Sequence, residues 1–261
     1  MSPLEGALLG FVQGLTEFLP VSSSGHLVIV QTLLGLDGSN LVFDVVVHGA
    51  TLAAIGVWFR RRLLGLVAAR EWTYAGKLAV ASLPVALVGG LFAEQVEAAF
   101  AAPELVVGTL ALTGAALFSL YLRPDTGTSA AGLAQPGWAA ALVIGAAQAL
   151  AILPGISRSG LTIVAGLWLG LAPAAAAEFS FLLGIPAIAG AVVYQLRPTL
   201  AAAGGGQGAE LLVGAAVAFA SGLAAISLVF RLLTRRGFRR FGFYCCSVAI
   251  AFAAWLAWGN G

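Results

Sequence analysis

Long apolar stretches without a formal charge constrain this chain more than any other feature of its sequence. Residues 78–92, 105–122 and 211–230 contain no Asp, Glu, Lys or Arg. Only 9% of the chain is charged and 60% is hydrophobic, whereas soluble domains carry roughly 25% charged residues. This composition excludes a water-facing globular surface and predicts helices that cross a membrane.

Six stretches reach the length of about 20 apolar residues that a membrane span needs. They are residues 42–59, 75–92, 104–122, 174–196, 210–230 and 241–258. Two further apolar regions, 4–35 and 137–172, are each interrupted midway by Pro, Gly and Ser. Because each arm of these regions is too short to cross comfortably, both predict re-entrant helix–loop–helix hairpins.

The two interrupted regions are related to each other. A shift of 135 residues places Gly10, Gln13, Ser22, Ser24 and Gly25 on Gly145, Gln148, Ser157, Ser159 and Gly160. We therefore expect one all-α integral membrane domain, residues 1–261, built from the repeats 1–122 and 137–258. Each repeat is one hairpin followed by three spans, so the second repeat is inverted. Inverted repeats with broken helices place polar sites at the repeat interface, near the membrane midplane.

Basic residues are distributed unequally between the two sides that six spans define. One side holds Arg60, Arg61, Arg62, Arg70, Lys77, Arg123, Arg231, Arg235, Arg236, Arg239 and Arg240, and the loops of the other side hold only Arg197. The basic side should be cytoplasmic, so both termini and the mouth of the first hairpin face outward. This clustering and the net charge of only +2 argue against a nucleic-acid partner. The N-terminus has no basic region, so no cleavable signal peptide is expected.

Charged side chains inside a membrane are costly, and their usual explanation is function. Six ionisable residues fall in apolar surroundings: Glu17, His26, Asp44, His48, Arg158 and Glu178. Gln13 and Glu17 share one helix face at i, i+4 spacing. A carboxylate there can bind a hard cation, exchange protons or pair with Arg158, and a purely structural ion pair is the simpler alternative.

The two breaks carry different chemistry. Residues Ser22 to His26 combine hydroxyls with a histidine, which suits a nucleophile and its base, although serine also caps helices and His26 could simply be packed. Residues Gly155 to Gly160 open a helix whose N–H groups favour anions, and Arg158 adds a donor fork suited to phosphate. Further neutral donors are Ser157, Ser159 and Thr162. An anion in an apolar site indicates a lipid phosphate, and hydrolysis of a diphosphate would need Arg158 and Mg²⁺ or Ca²⁺ held by Glu17.

These motifs resemble those of the undecaprenyl-diphosphatase, or bacitracin-resistance, family. QGLTEFLPVSSSGHL at 13–27 resembles the first family signature, PGISRSG at 154–160 the second, and EFSFLL at 178–183 a stretch that follows it. The resemblance implies an enzyme of the bacterial inner membrane that removes one phosphate from undecaprenyl diphosphate and regenerates the carrier for cell-wall synthesis. It also implies a divalent cation, Mg²⁺ or Ca²⁺, and a site that opens to the periplasm.

The resemblance also assigns residues. Glu17, Ser22, Ser23, His26, Ser157, Arg158, Ser159 and Thr162 fall on motif positions. Glu17, Ser23, His26 and Arg158 are the expected catalytic set, with Glu17 also the metal ligand. Gln13, Ser22, Ser157, Arg158, Ser159, Gly160 and Thr162 are the expected substrate-binding set. Ser23 with His26 as its acid/base partner is slightly preferred as nucleophile over His26 itself, and activated water remains an alternative. Many members have Glu where this chain has Gln13.

Two other functions fit parts of the pattern. An inverted-repeat transporter could flip a polyprenyl phosphate, but it needs no nucleophile. An intramembrane serine protease needs Ser and His but no opposing arginine, and its usual G-x-S-G element is absent around Ser22 to Ser24. The sequence leaves open the lipid chain length, the preferred metal and the oligomeric state, for which a homodimer is one candidate.

Overall fold

A computed structural model describes residues 1–35, 41–123, 132–202, 208–234 and 237–259. Across these ranges the chain forms twelve α-helices and no β-strand. The helices are α1 Pro3–Phe18, α2 Ser23–Leu33, α3 Leu41–Trp58, α4 Arg60–Ala68, α5 Trp72–Leu91, α6 Ala93–Phe100, α7 Pro103–Ser119, α8 Trp138–Leu150, α9 Arg158–Trp168, α10 Pro173–Ala202, α11 Gly208–Thr234 and α12 Phe241–Gly259. Helices α1–α2 and α8–α9 are the two predicted hairpins, with their breaks at the predicted Pro, Gly and Ser clusters.

The expected spans are present in the described part of the chain. Four helices are long and apolar enough to cross a membrane: Trp72–Leu91, Pro173–Gln195, Gly208–Leu233 and Phe238–Trp258. Two further candidates are bent pairs: Val42–Trp58 with Arg60–Ala68, bent by 64°, and Ala93–Phe100 with Pro103–Ser119, bent by 98°. The six candidates overlap the six predicted spans, which confirms an all-α, multi-pass membrane protein. The short helices α4 and α6 were not predicted.

Glycines allow helices from opposite halves to pack backbone against backbone. Gly10 of α1 faces Gly214 of α11, and Gly145 of α8 faces Ala81 of α5; a Cβ at either glycine would overlap the facing carbonyl oxygen. Small residues of this kind let membrane helices approach closely. The first helix of each hairpin thus packs on the second span of the other half. An internal repeat would produce this pairing, and the inverted relation between the halves stays a prediction.

The basic side carries an ion-pair cluster. Arg62 of α4 donates to both carboxylate oxygens of Glu71, at 2.6 and 3.0 Å, and through Nε to Glu178 of α10 at 2.8 Å. The bidentate bond from Arg62 lowers the pKa of Glu71. Glu178, expected among the ionisable residues in apolar surroundings, instead pairs with Arg62 in this partly exposed cluster. Arg235 and Arg236, counted for the orientation, lie outside the described residues, as does the side chain of Arg197.

We expect Gly10→Ala to destabilise the protein, because the added methyl group would force α1 away from α11. Overpacking of this kind costs about 1–3 kcal/mol. Gly56→Ala is the matched control, since it lies in helix α3 with nothing within 4 Å of its added Cβ, and it should be neutral or slightly stabilising. Thermal unfolding in detergent measures both, and equal melting temperatures for the two variants would contradict the close packing.

Candidate active site

The two hairpin breaks meet inside the protein. Ser159 Oγ in α9 donates to the Leu19 carbonyl at 3.0 Å. At the tips, a Cβ on Gly25 would come within 2.8 Å of the Gly155 Cα. The loop of the first hairpin therefore packs directly on the loop of the second. Glu17 and Arg158, which are 141 positions apart in the chain, come into contact.

Glu17 is the centre of this junction. Its Oε1 accepts a hydrogen bond from Nη2 of Arg158 at 2.5 Å, and its Oε2 accepts from Ser23 Oγ at 2.6 Å and from Gln13 Nε2 at 3.2 Å. The Glu17 side chain is 6% exposed and the Arg158 side chain 13%. Removing one partner of so buried a pair costs about 3–5 kcal/mol, because it leaves the other charge unpaired, so loss of either side chain would weaken the docking of the hairpins.

The guanidinium of Arg158 has room because of a glycine. It lies against Gly184 of α10, where any Cβ would overlap Nη1. That nitrogen is buried and has no hydrogen-bond partner among the described residues. Nη2 of Arg158 therefore binds Glu17, and Nη1 is available to bind an anion.

Both breaks end in the same cap. Ser22 Oγ accepts from the Gly25 N–H at 3.3 Å, and Ser157 Oγ accepts from the Gly160 N–H at 3.1 Å. The helix-capping alternative therefore applies to both serines, as expected for N-cap positions. Ser22 adopts a φ of 69°, which is uncommon for a residue other than glycine. The N-termini of α2 and α9 thus both lie at the junction of the two hairpins.

His26 is not placed against Ser23. Its Nδ1 lies 2.8 Å from the Ser22 carbonyl oxygen, and its Nε2 lies 2.9 Å from the Tyr244 hydroxyl of α12, with the two rings stacked. These contacts turn the imidazole towards α12. Ser23 donates to Glu17 instead. The structure therefore does not form the expected Ser23–His26 pair, and Ser23 pairs with the carboxylate of Glu17 instead.

A cavity of about 180 Å³ lies at the junction. Of the predicted site residues, it is lined by Glu17, Ser22, Ser23, Ser157 and Arg158. The others support the site from behind or lie beside it: Gln13, His26, Ser159, Gly160 and Thr162. Thr162, for example, donates to the Arg158 carbonyl at 2.7 Å and contacts the Ser180 hydroxyl at 2.6 Å. Asp44 does not line the cavity and accepts a bond from Gln31.

Several residues of the site were not predicted. His48, one of the six ionisable residues in apolar surroundings but not assigned to the site from the sequence, lines the cavity with Ser24 and Gln148. Thr109 of α7 donates to the Pro154 carbonyl at 2.6 Å. Thr113, one turn later, donates to the Gly155 carbonyl at 2.9 Å and accepts from the Ser157 N–H at 3.0 Å. Two threonines at i, i+4 spacing in an otherwise apolar span were the available signal.

The residues present fit a hard divalent cation only in part. No group of three or more His, Cys, Asp or Glu in the described ranges could hold a metal ion. The Glu17 carboxylate and the buried, unpartnered Oε1 of Gln13 are nevertheless oxygen donors of the kind that Mg²⁺ and Ca²⁺ prefer. Mg²⁺ is commonly held by one or two carboxylates together with substrate phosphates, so a cation here would need oxygens from the substrate.

The chain is similar to known proteins over nearly its whole length. The family model for bacitracin resistance protein BacA matches residues 6–251. The undecaprenyl-diphosphatase of Desulfosudis oleivorans is 41% identical, with 94% of this chain and 95% of the relative aligned. The undecaprenyl-diphosphatase of Rubrobacter xylanophilus is 42% identical over 97% of this chain and 98% of the relative. The undecaprenyl-diphosphatase of Bacteroides fragilis is 38% identical over 96% of this chain and 97% of the relative.

We expect Thr113→Val to destabilise the second hairpin. The change keeps the side-chain shape but leaves the Ser157 N–H and the Gly155 carbonyl without the hydroxyl that they share, which costs about 1–3 kcal/mol. Thr51→Val is the control, because Thr51 is equally buried but bonds only to a carbonyl of its own helix. Thermal unfolding of both variants checks this, and a Thr113→Val protein as stable as the Thr51→Val protein would contradict the role of α7.

Proposed function

We propose, since the chain belongs to the bacitracin resistance protein BacA family, that it hydrolyses undecaprenyl diphosphate to undecaprenyl phosphate and inorganic phosphate. This reaction recycles the lipid carrier for peptidoglycan and other cell-wall polymers and confers resistance to bacitracin. The observation that carries the proposal is the chain of bonds from Arg158 through Glu17 to Ser23 at the wall of the cavity. It places a cation, a carboxylate and a hydroxyl together within an apolar protein.

The cavity suits an anionic head group on an apolar tail. Its polar wall combines Arg158 with serine hydroxyls, while Val85, Ile152 and Ile188 form part of its apolar wall. The unpartnered Nη1 of Arg158 and the N-termini of α2 and α9 favour phosphate oxygens. The prenyl chain would remain among apolar helices and lipid.

Ser23 is the proposed nucleophile, with Glu17 as its base. As Ser23 Oγ bonds to the terminal phosphorus, its proton passes to Glu17 across the existing 2.6 Å hydrogen bond. The bond from that phosphorus to the bridging oxygen breaks, and undecaprenyl phosphate leaves with the electron pair and takes the proton from Glu17. Water then attacks the phosphoserine, giving a proton to Glu17. Glu17 returns this proton to Ser23 Oγ as inorganic phosphate leaves.

Arg158 and the cation stabilise negative charge and take no part in proton transfer. Arg158 stabilises the negative charge on the phosphate oxygens throughout the reaction. Mg²⁺ or Ca²⁺ would be held by Glu17 and Gln13 Oε1 together with substrate oxygens, and would supply further charge neutralisation. His26, through Tyr244 and the Ser22 carbonyl, would position the serine loop rather than exchange protons with Ser23.

Transport is the less favoured function. A flippase of polyprenyl phosphate would use Arg158 but would have no use for a hydroxyl held on a buried carboxylate. No feature of the described residues specifically favours transport over hydrolysis.

A homodimer stays a prediction.

The cavity lies towards the arginine-poor side of the protein. Phe100 of α6, on that side, contributes to its lining, and so do Ala187 and Ile188 of α10. Glu178, at the basic end of α10, is ten residues from Ile188, about 15 Å along a helix. With the basic side in the cytoplasm, this supports a site in the bacterial inner membrane that opens to the periplasm.

We expect Ser23→Ala, Glu17→Gln and Arg158→Ala each to lower kcat/KM for undecaprenyl diphosphate by at least about 100-fold, because each removes a group that acts on the transition state. Phosphate release from purified protein in detergent measures this, and EDTA should abolish the release. Ser82→Ala and Arg60→Ala are the controls, since among the described residues each side chain bonds to a nearby carbonyl and neither lines the cavity. Full activity of the Ser23→Ala variant would overturn Ser23 as nucleophile in favour of water.

Topology can be tested separately. A cysteine at Gln95, on α6, should react with an impermeant maleimide added to spheroplasts. A cysteine at Arg61 should react only after the membrane is opened. Wild-type protein, whose Cys245 is buried, measures the background labelling. Labelling of the Arg61 cysteine alone from outside would reverse the orientation.

A further inference from the structure

Gln148 is a buried amide without a partner. It lies in α8, only 1% exposed, and neither its Nε2 nor its Oε1 has a hydrogen-bond partner among the described residues. It lines the same cavity as Glu17, Ser23 and Arg158. Buried amides are nearly always bonded, because leaving one unbonded is costly. An exception in a native protein needs an explanation, and a ligand that enters the cavity is one.

The relation between the hairpins explains why this amide has no partner among the described residues. Gln148 corresponds to Gln13 by the shift of 135 residues. Gln13 donates to Glu17 one turn later. The corresponding residue after Gln148 is Ile152, whose side chain cannot accept a hydrogen bond. The glutamine at this helix position thus binds a carboxylate in the first hairpin, where it is Gln13. In the second hairpin, where it is Gln148, it faces the cavity.

A second unpartnered donor lines this cavity. Nη1 of Arg158 is buried and unbonded within the described residues, while Nη2 is held by Glu17. Two unsatisfied donors, one cationic and one neutral, are complementary to a group that carries several acceptor oxygens. The diphosphate of the proposed substrate has such oxygens.

We propose that Gln148 is a substrate-binding residue whose Nε2–H donates to a non-bridging oxygen of the diphosphate that Arg158 also binds. The proposal rests on the proposed function and extends its binding site to α8. The Oε1 atom accepts a hydrogen bond from water or from a protonated phosphate oxygen in the same cavity. Gln148 positions the head group and takes no part in proton transfer.

A ligand role and a structural role predict opposite effects of Gln148→Met, which keeps the length and apolar volume of the side chain. If the amide awaits a ligand, the free protein loses two unsatisfied polar atoms and melts at the same temperature or higher. If the amide holds the fold together, the free protein melts lower. Gln31→Met is the matched control, because Gln31 is also buried but donates to Asp44 outside the cavity; it should lower the melting temperature and leave ligand affinity unchanged.

The experiment measures binding of the farnesyl ester of methylenediphosphonate, which resists hydrolysis, by thermal shift of purified protein in detergent. The dissociation constant should rise about tenfold or more in Gln148→Met, the effect of losing a hydrogen bond to a charged group. Gln148→Glu should bind the phosphonate at least as weakly as Gln148→Met does, because its carboxylate repels the phosphonate. Gln148→Asn keeps both donors on a shorter side chain and should recover part of the affinity. In hydrolysis of undecaprenyl diphosphate, KM should rise more than kcat falls.

The outcomes separate this inference from the proposed function. Wild-type affinity in Gln148→Met, or a lower melting temperature of the free variant with no change in affinity, would overturn the role of Gln148. Failure of the wild-type protein to bind the phosphonate would overturn it too. If the wild-type protein binds the phosphonate but releases no phosphate from undecaprenyl diphosphate, hydrolysis fails, while the affinity ratio still decides the role of Gln148.

Discussion

The ion pair between Arg158 and Glu17 is the interaction on which the rest of the structure depends. Each charge sits on a different hairpin, and both side chains are largely buried. A lone charge at this depth is expensive, and each hairpin supplies the partner of the other's buried charge. The docking also brings Ser23 onto Glu17 and Ser159 onto the Leu19 carbonyl. Binding chemistry and folding are therefore coupled through one contact.

That contact requires close packing without a hydrophobic driving force, since lipid is as apolar as the helices. Glycines supply the closeness: Gly10 and Gly145 bring α1 and α8 onto their neighbours, and Gly184 admits the Arg158 guanidinium. Irregular backbone within a membrane must also find hydrogen-bond partners in the protein. Thr109 and Thr113 supply them for the second break. The cavity is possible because neighbouring spans satisfy the polar backbone around it.

Charge-free runs and clusters of Pro, Gly and Ser predicted the spans and the hairpins, because membrane thickness and backbone chemistry leave few alternatives. Burial of charge likewise singled out Glu17 and Arg158. Partners distant in the chain could not be predicted: Glu178 pairs with Arg62, 116 positions away, and His26 with Tyr244, 218 positions away. No local pattern encodes such pairs, since they depend on how helices rotate against each other. For the same reason Gln148 became a candidate, and His48 was placed at the site, only once the cavity was visible.

The site owes its chemistry to the differences between two related hairpins. At a shift of 135 residues both keep the serine cap, the second serine and the glycine, so both present a helix N-terminus to the same cavity. The position between the two serines has diverged: it is Ser23 in the first hairpin and Arg158 in the second. Glu17 is likewise matched by Ile152. The proposed nucleophile and base therefore lie on one hairpin and the proposed phosphate-binding cation on the other. Neither hairpin could act alone, because attack on a diphosphate needs both kinds of group at one phosphorus.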